Sequence, residues 1–157
     1  MFVFSLCYQH YATKIVEVDP KKIVFYGRSL GTGPSVDICS RTPDIAGCIL
    51  ESPLESGIRC AIGVCTSITL YPLDIFKNYS KIEMVECPVL IMHGEDDTVV
   101  PIDNGKALYS QLQTRPFHES VDYHPLWVEN AGHNDMPRDV VLKECRRFLR
   151  FLKRRKR

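Results

Sequence analysis

Short apolar runs alternate along this chain with longer stretches whose apolar residues fall at helical spacing. Lys22 to Tyr26 (KIVFY) reads as the first strand, and Ser29 to Arg41 then reads as a helix. Ala46 to Glu51 (AGCILE) is the second strand and Pro88 to His93 (PVLIMH) the third. A loop rich in Gly and Asp follows the third strand, and behind it comes a helix over about Ile102 to Leu112. Leu126 to Glu129 is a fourth strand. The last element is a helix entered near Asp135 and Pro137. Its Val140, Val141, Cys145, Phe148, Leu149 and Leu152 recur at helical spacing and are expected to pack on the sheet. Strands separated by helices in this way predict an α/β fold with a mostly parallel sheet flanked by helices.

One segment breaks the alternation. Leu54 to Phe76 (LESGIRCAIGVCTSITLYPLDIF) is apolar along most of its length, has weak periodicity and leads into no strand. It reads as a cap or lid lining a pocket, or else as a buried core helix. No repeat, low-complexity stretch or Gly/Ser-rich linker divides residues 1–157, so a single domain is expected.

Composition narrows the classes. With 45% hydrophobic and 25% charged residues the chain resembles an ordinary globular protein, and no apolar run approaches the roughly 20 residues of a membrane span. Met1 to Cys7 is apolar but lacks a basic leading region and a small-residue cleavage site, so secretion is not expected. The seven cysteines are odd in number and form no C-x-x-C pair, which argues against a disulfide framework and against a zinc site. They read as buried thiols of a reducing, cytoplasmic compartment. The net charge of +1 hides an asymmetry, because the last twelve residues hold eight of the twenty basic residues and no acidic one. The tail thus carries +8 and the body −7. Such a tail either solvates a helix end or contacts an anionic membrane, chiefly through residues 153–157; nucleic acid is not expected as a partner.

The chemistry begins at Gly27-Arg28-Ser29-Leu30-Gly31, which fits G-x-S-x-G directly after a strand and directly before a helix. A sharp turn there lifts the serine Oγ over the sheet, forces an unfavourable backbone angle at Ser29, and is expected to leave no room for side chains at Gly27 and Gly31. A serine hydroxyl needs a base to remove its proton, and the base needs a carboxylate to hold its tautomer. Asp97 follows the third strand at its carboxyl end, where parallel sheets place their sites; Asp96 and Glu95 are its competitors. His133 lies between the last strand and the last helix, with Gly132 before it. His93 reads as a structural side chain bonding the loop that follows it, and His10, His118 and His124 have no site context. Of the two N–H donors that an oxyanion needs, the backbone of Leu30 supplies one. Only about twenty residues precede KIVFY, so the strand and loop for the second are expected outside this chain. Turnover by the chain alone, and solubility with one strand edge bare, are expected to suffer.

Together these motifs resemble the protein depalmitoylases known as family 17 of the α/β-hydrolase-domain proteins, over about Asp19 to Leu152. The resemblance rests on Ile23 to Thr32 (IVFYGRSLGT), Glu51 to Arg59 (ESPLESGIR), Cys87 to Gly94 (CPVLIMHG), and Leu126 to Glu129 with Gly132 to Asp135. It implies the C-terminal part of an α/β-hydrolase fold, and hydrolysis of a thioester between a long acyl chain and a protein cysteine. Ser29 would be nucleophile, His133 base then acid, and Asp97 the group orienting it, with no cofactor. An acylated protein or lipid-like ester would be the substrate. The chain departs from that pattern in lacking the first half of the domain and its N-terminal cysteine cluster, in a longer stretch over Gln113 to Pro125, and in the basic tail. Two other readings stay open: a peptidase or small-ester esterase on the same three residues, and a catalytically silent fragment or binding module.

Overall fold

The computed structural model describes residues 17–57, 76–116 and 123–155. Four strands, β1 (Val24–Arg28), β2 (Gly47–Glu51), β3 (Val89–Gly94) and β4 (Leu126–Val128), pair in parallel in that order. Helix α1 (Thr32–Arg41) lies between β1 and β2, α2 (Ile102–Leu112) between β3 and β4, and α3 (Arg138–Arg155) follows β4. Alternate side chains face opposite sides of a strand, so the sheet has two apolar faces. Cys48, Leu50, Val89 and Ile91 pack with Val36 and Cys39 of α1 and Leu108 and Leu112 of α2. Ile49, Leu90, Met92 and Val128 pack with Val141, Phe148 and Leu152 of α3. Every residue of β2 and β3 is buried, as expected for parallel strands covered on both faces.

The α/β class and the parallel sheet match the sequence reading, and three boundaries or placements differ. The first strand begins at Val24 rather than Lys22, because the Asp19 carboxylate accepts the Lys21 amide at 3.0 Å and winds Pro20–Lys22 into a single 3₁₀ turn. The strand then runs on through Gly27 and Arg28, and Ser29–Gly31 forms a separate 3₁₀ turn before α1 starts at Thr32. Leu149, expected on the sheet, is exposed. The buried stripe of α3 runs Val141, Glu144, Phe148, Leu152 at steps of three and four, and Leu149 falls one residue off it. Glu144 is tolerated there because it accepts the Tyr123 hydroxyl at 2.7 Å and the Arg147 guanidinium at 3.1 Å.

Residues 58–75 of the expected cap, and Cys7, Cys60 and Cys65, lie outside the described residues. The chain on either side of residues 58–75 is tied together: the Tyr79 amide donates to the Glu55 carbonyl at 3.0 Å, and the Asn78 side chain donates to the Leu54 carbonyl at 2.9 Å. Cys39, Cys48 and Cys87 are buried free thiols and Cys145 is half-buried. The Cys48 thiol beside it, ahead of burial, holds Cys39 well above its ordinary pKa, in the thiol form. No described helix is long and apolar enough to cross a membrane.

Candidate active site

Strand β1 ends in extended backbone at Arg28 (φ −122°), and the next residue turns into the left-handed region, with Ser29 at φ 52°. A side-chain-bearing residue there carries strain of about 1–3 kcal/mol, held by its surroundings. The Thr32 hydroxyl donates to the Ser29 carbonyl at 2.6 Å, and the Ser35 hydroxyl donates to the Gly31 carbonyl at 3.0 Å. Gly27 is required by space, since a Cβ there would stand 2.6 Å from the Gly31 carbonyl oxygen and 2.6 Å from the Ser35 Oγ. Gly31 is not. A Cβ at 31 would meet no described atom within 4 Å, and its φ of −65° suits any residue, so the expected crowding belongs to Gly27 alone. Leu30, next after the serine, has an exposed side chain.

The structure brings Ser29, His133 and Asp97 into one hydrogen-bonded line. His133 Nε2 lies 3.1 Å from Ser29 Oγ, and His133 Nδ1 lies 2.8 Å from Asp97 Oδ2. Asp97 is placed by the turn after β3. Its other oxygen, Oδ1, accepts the Val99 and Val100 amides at 2.9 and 2.8 Å. Burial pushes the Asp97 carboxyl up, but the Val100 amide, the His133 ring and the Val99 amide outweigh it and hold it below its ordinary value. An ionised carboxylate on Nδ1 fixes the tautomer in which Nδ1–H donates and Nε2 can accept the serine proton. The competitors Glu95 and Asp96 are exposed, and serve through their backbone: Glu95 N–H donates to the Val128 carbonyl at 2.9 Å and Asp96 N–H to the Ala131 carbonyl at 3.0 Å. These bonds hold the histidine loop against the end of β3. Gly94 permits the approach, since a Cβ there would stand 2.2 Å from the Ala131 carbonyl oxygen.

His93 is fully buried and bonds the following loop, as read from the sequence: its Nε2–H donates to the Val100 carbonyl at 2.8 Å. The same nitrogen lies 3.4 Å from Asp97 Oδ2, and burial drives the ring's pKa below its ordinary value, so it sits there neutral. Its Nδ1 has no hydrogen-bond partner among the described residues, and the ring fits because α2 carries Gly105 opposite it. His124 stands apart, stacked on Tyr123 and 3.2 Å from Glu144; His10 and His118 lie outside the described residues.

Two groups of the site escaped the sequence reading. Arg28, the first variable residue of the G-x-S-x-G motif, reaches Glu51 at the end of β2 and the backbone of His133. Each is a charged residue at the last position of one of two adjacent strands, on the rim where the serine stands, but the sequence reading ended the first strand at Tyr26 and so did not bring them together.

The profile of the prolyl oligopeptidase family matches residues 69–156, more than half of the chain. The chain belongs to this family. Among curated relatives, the α/β-hydrolase domain-containing protein aho-3 of Caenorhabditis elegans is 44% identical over 133 residues, 84% of this chain and 37% of that protein. The human α/β-hydrolase domain-containing protein 17B is 43% identical over 119 residues, 76% of this chain and 38% of that one. Against these relatives the chain spans somewhat over a third of their length. A Paleococcus ferrophilus monoacylglycerol lipase superposes with a TM-score of 0.65 at 14% identity, over 98% of this chain and 76% of the lipase. At that identity the likeness concerns the fold, which is that of the α/β hydrolases.

Proposed function

We propose that this prolyl oligopeptidase family member is a serine hydrolase cleaving acyl esters or thioesters, and that the thioester between a long acyl chain and a protein cysteine is its substrate. The observation that carries the reading is the unbroken line from the strained Ser29 through His133 to the buried Asp97. His133 Nε2 takes the Ser29 proton as Oγ attacks the carbonyl carbon, and the Leu30 N–H faces the developing oxyanion. The tetrahedral adduct collapses, the leaving thiolate takes the proton from Nε2, and the acyl group remains on Ser29. Water, deprotonated by the same nitrogen, then releases the acid and restores the serine. Preference for a long acyl chain rests on the family-17 resemblance and on the apolar stretch of residues 54–76. As a secondary contact, the basic tail would meet an anionic membrane surface.

Labelling of the full-length protein by a fluorophosphonate probe tests the chemistry. The wild type is expected to label at one site and Ser29→Ala not at all; labelling that survives the substitution overturns the reading. Thioesters of increasing acyl length then test the substrate class, because each buried CH₂ contributes about 0.8 kcal/mol to binding an apolar chain. A second reading, peptide-bond hydrolysis by the same residues, draws on the family to which the chain belongs. Cleavage of acylated peptide amides faster than of long-chain thioesters would favour it.

A further inference from the structure

The guanidinium of Arg28 has three acceptors from two different parts of the chain. Its Nε–H donates to Glu51 Oε1 at 3.1 Å. Its Nη2 donates to the Asn134 side-chain oxygen at 2.9 Å and to the backbone carbonyl of His133 itself. Glu51 is the register partner of Arg28 across the parallel β1–β2 pair, so the two side chains rise from the same face of the sheet. Tyr26 stands two residues earlier on that face, and its hydroxyl donates to the second Glu51 oxygen. Both carboxylate oxygens are thereby engaged, and the planar fork of the guanidinium is aimed at the histidine loop.

That loop has little regular structure of its own. Between β4 and α3 it contains Asn130 at φ 54°. Upstream of the histidine it is fastened to the β3 end by the Asp96 amide on the Ala131 carbonyl, and internally by the Gly132 amide on Asp135 at 2.5 Å. At the histidine itself, the described fastening of the backbone is Arg28. Arg28 and Ser29 are adjacent in the chain although Arg28 and His133 are 105 residues apart. A bond from residue 28 to the carbonyl of residue 133 therefore sets where the imidazole stands relative to the serine, within one residue of rigid backbone.

We infer that Arg28 is a positioning residue, whose guanidinium, aimed by Glu51 and Tyr26, pins the His133 loop to the strand that carries Ser29. The inference rests on the reading of Ser29 and His133 as nucleophile and base. The Arg28 guanidinium acts through the Ser29–His133 distance of 3.1 Å. Misplacement of a reacting group by about 1 Å costs roughly 10²-fold in rate. Arg28 is exposed and the buried Glu51 keeps the Tyr26 hydroxyl when Arg28 is replaced, so the loss is expected mainly in rate and only weakly in folding.

The test compares wild type, Arg28→Met and Arg28→Lys in the full-length protein. Three readouts serve: the second-order rate of fluorophosphonate labelling, its final amplitude, and the downfield proton resonance of His133 Nδ1–H on Asp97. Arg28→Met is expected to label about 10- to 10²-fold more slowly but to full amplitude, with a melting transition close to wild type. Its Nδ1 resonance should be broadened as the loop samples more positions. Arg28→Lys should recover only part of the rate, since one ammonium cannot reproduce the fork to Glu51 and the loop. Equal rates in all three proteins overturn the inference, as does a fall in amplitude matched by a fall in melting temperature, which marks a merely structural role. If wild type itself fails to label, the hydrolase reading falls, and the clamp is judged on the resonance alone: sharp in wild type and broad in Arg28→Met sustains it, and no difference between the two ends it.

Discussion

The two ends of the sheet use charge in opposite ways. At the carboxyl ends of the strands, Arg28, Glu51, Asp97 and His133 are joined by hydrogen bonds of set direction, and Asp97 and Glu51 are buried. At the amino ends, the last turn of α3 presents Lys153, Arg154 and Arg155 to solvent, and Arg155 shares an open cleft with Asp19, Asp44 and Glu86. The difference is one of environment. A charge taken out of water must be paired and directed, and is then able to hold geometry or shift a neighbour's proton, whereas an exposed charge is screened and worth little to any single partner. The rim is therefore where single substitutions should be costly and the tail where they should be cheap.

The sharpest way to break that contrast is at Asp97. Asp97→Asn preserves the shape but offers Nδ1 of His133 an amide in place of a carboxylate, so the tautomer that accepts the serine proton is no longer favoured. Labelling is expected to slow by roughly 10³- to 10⁴-fold. The Val99 and Val100 amides would still find an oxygen at Oδ1, so the turn should keep its form. A fall of less than tenfold would mean that the carboxylate is structural rather than part of the relay.

Two glycines give the next test, because one is confined by backbone and the other by nothing. Gly94→Ala drives a methyl into the Ala131 carbonyl at 2.2 Å, and a backbone oxygen cannot rotate aside as a side chain can. Overpacking of this kind costs about 3 kcal/mol, and the displaced segment leads directly into His133. Gly31→Ala meets open space at a helical φ and should raise stability by roughly 0.5 kcal/mol through the unfolded chain. Chemical denaturation of both variants checks the pair; a destabilising Gly31→Ala would show that the elbow is crowded by residues outside those described.

The legible part of this molecule was the part encoded locally. The four strands and three helices follow from short-range pattern, and Ser29, Asp97 and His133 could be singled out because each falls directly after or between such elements in the order the fold requires. Arg28 with Glu51 was not legible, since the pair exists only through the register of β1 against β2 and a contact 105 residues away. The choice between Asp96 and Asp97 was likewise a matter of which carboxylate faces inward, decided by amides two and three residues on. Buried polar groups misled the pattern in the same manner. Glu144 takes a core position that spacing assigns to an apolar residue, and Arg115 is almost wholly buried because its guanidinium caps the carbonyls of Val85, Cys87 and Leu112. Hydrophobic periodicity records where apolar surface goes, and carries no account of a charge that is buried because its partners are waiting.

The smallest effect is expected at the tail, and the direction of α3 says why. Arg138, at its start, acts on Glu51 at the end of β2, while Leu152 and Phe148 lie against Gly47 at the beginning of β2. The helix therefore runs opposite to the strands, and its 18 residues carry the chain about 27 Å from the rim where Ser29 stands. Replacing Lys153, Arg154 and Arg155 by Gln should leave fluorophosphonate labelling within about twofold of wild type, because exposed charges at that distance are screened. If the tail contacts an anionic membrane, three cations at about 1 kcal/mol each should weaken vesicle binding by roughly 10²-fold. A membrane gripped by the tail would then lie beyond the end of the sheet away from Ser29, so anionic lipid should not speed cleavage of an acyl chain embedded in the same vesicle. Tenfold slower labelling in the triple variant would contradict the separation of the two ends, and would mean that the charge at the foot of α3 reaches the rim.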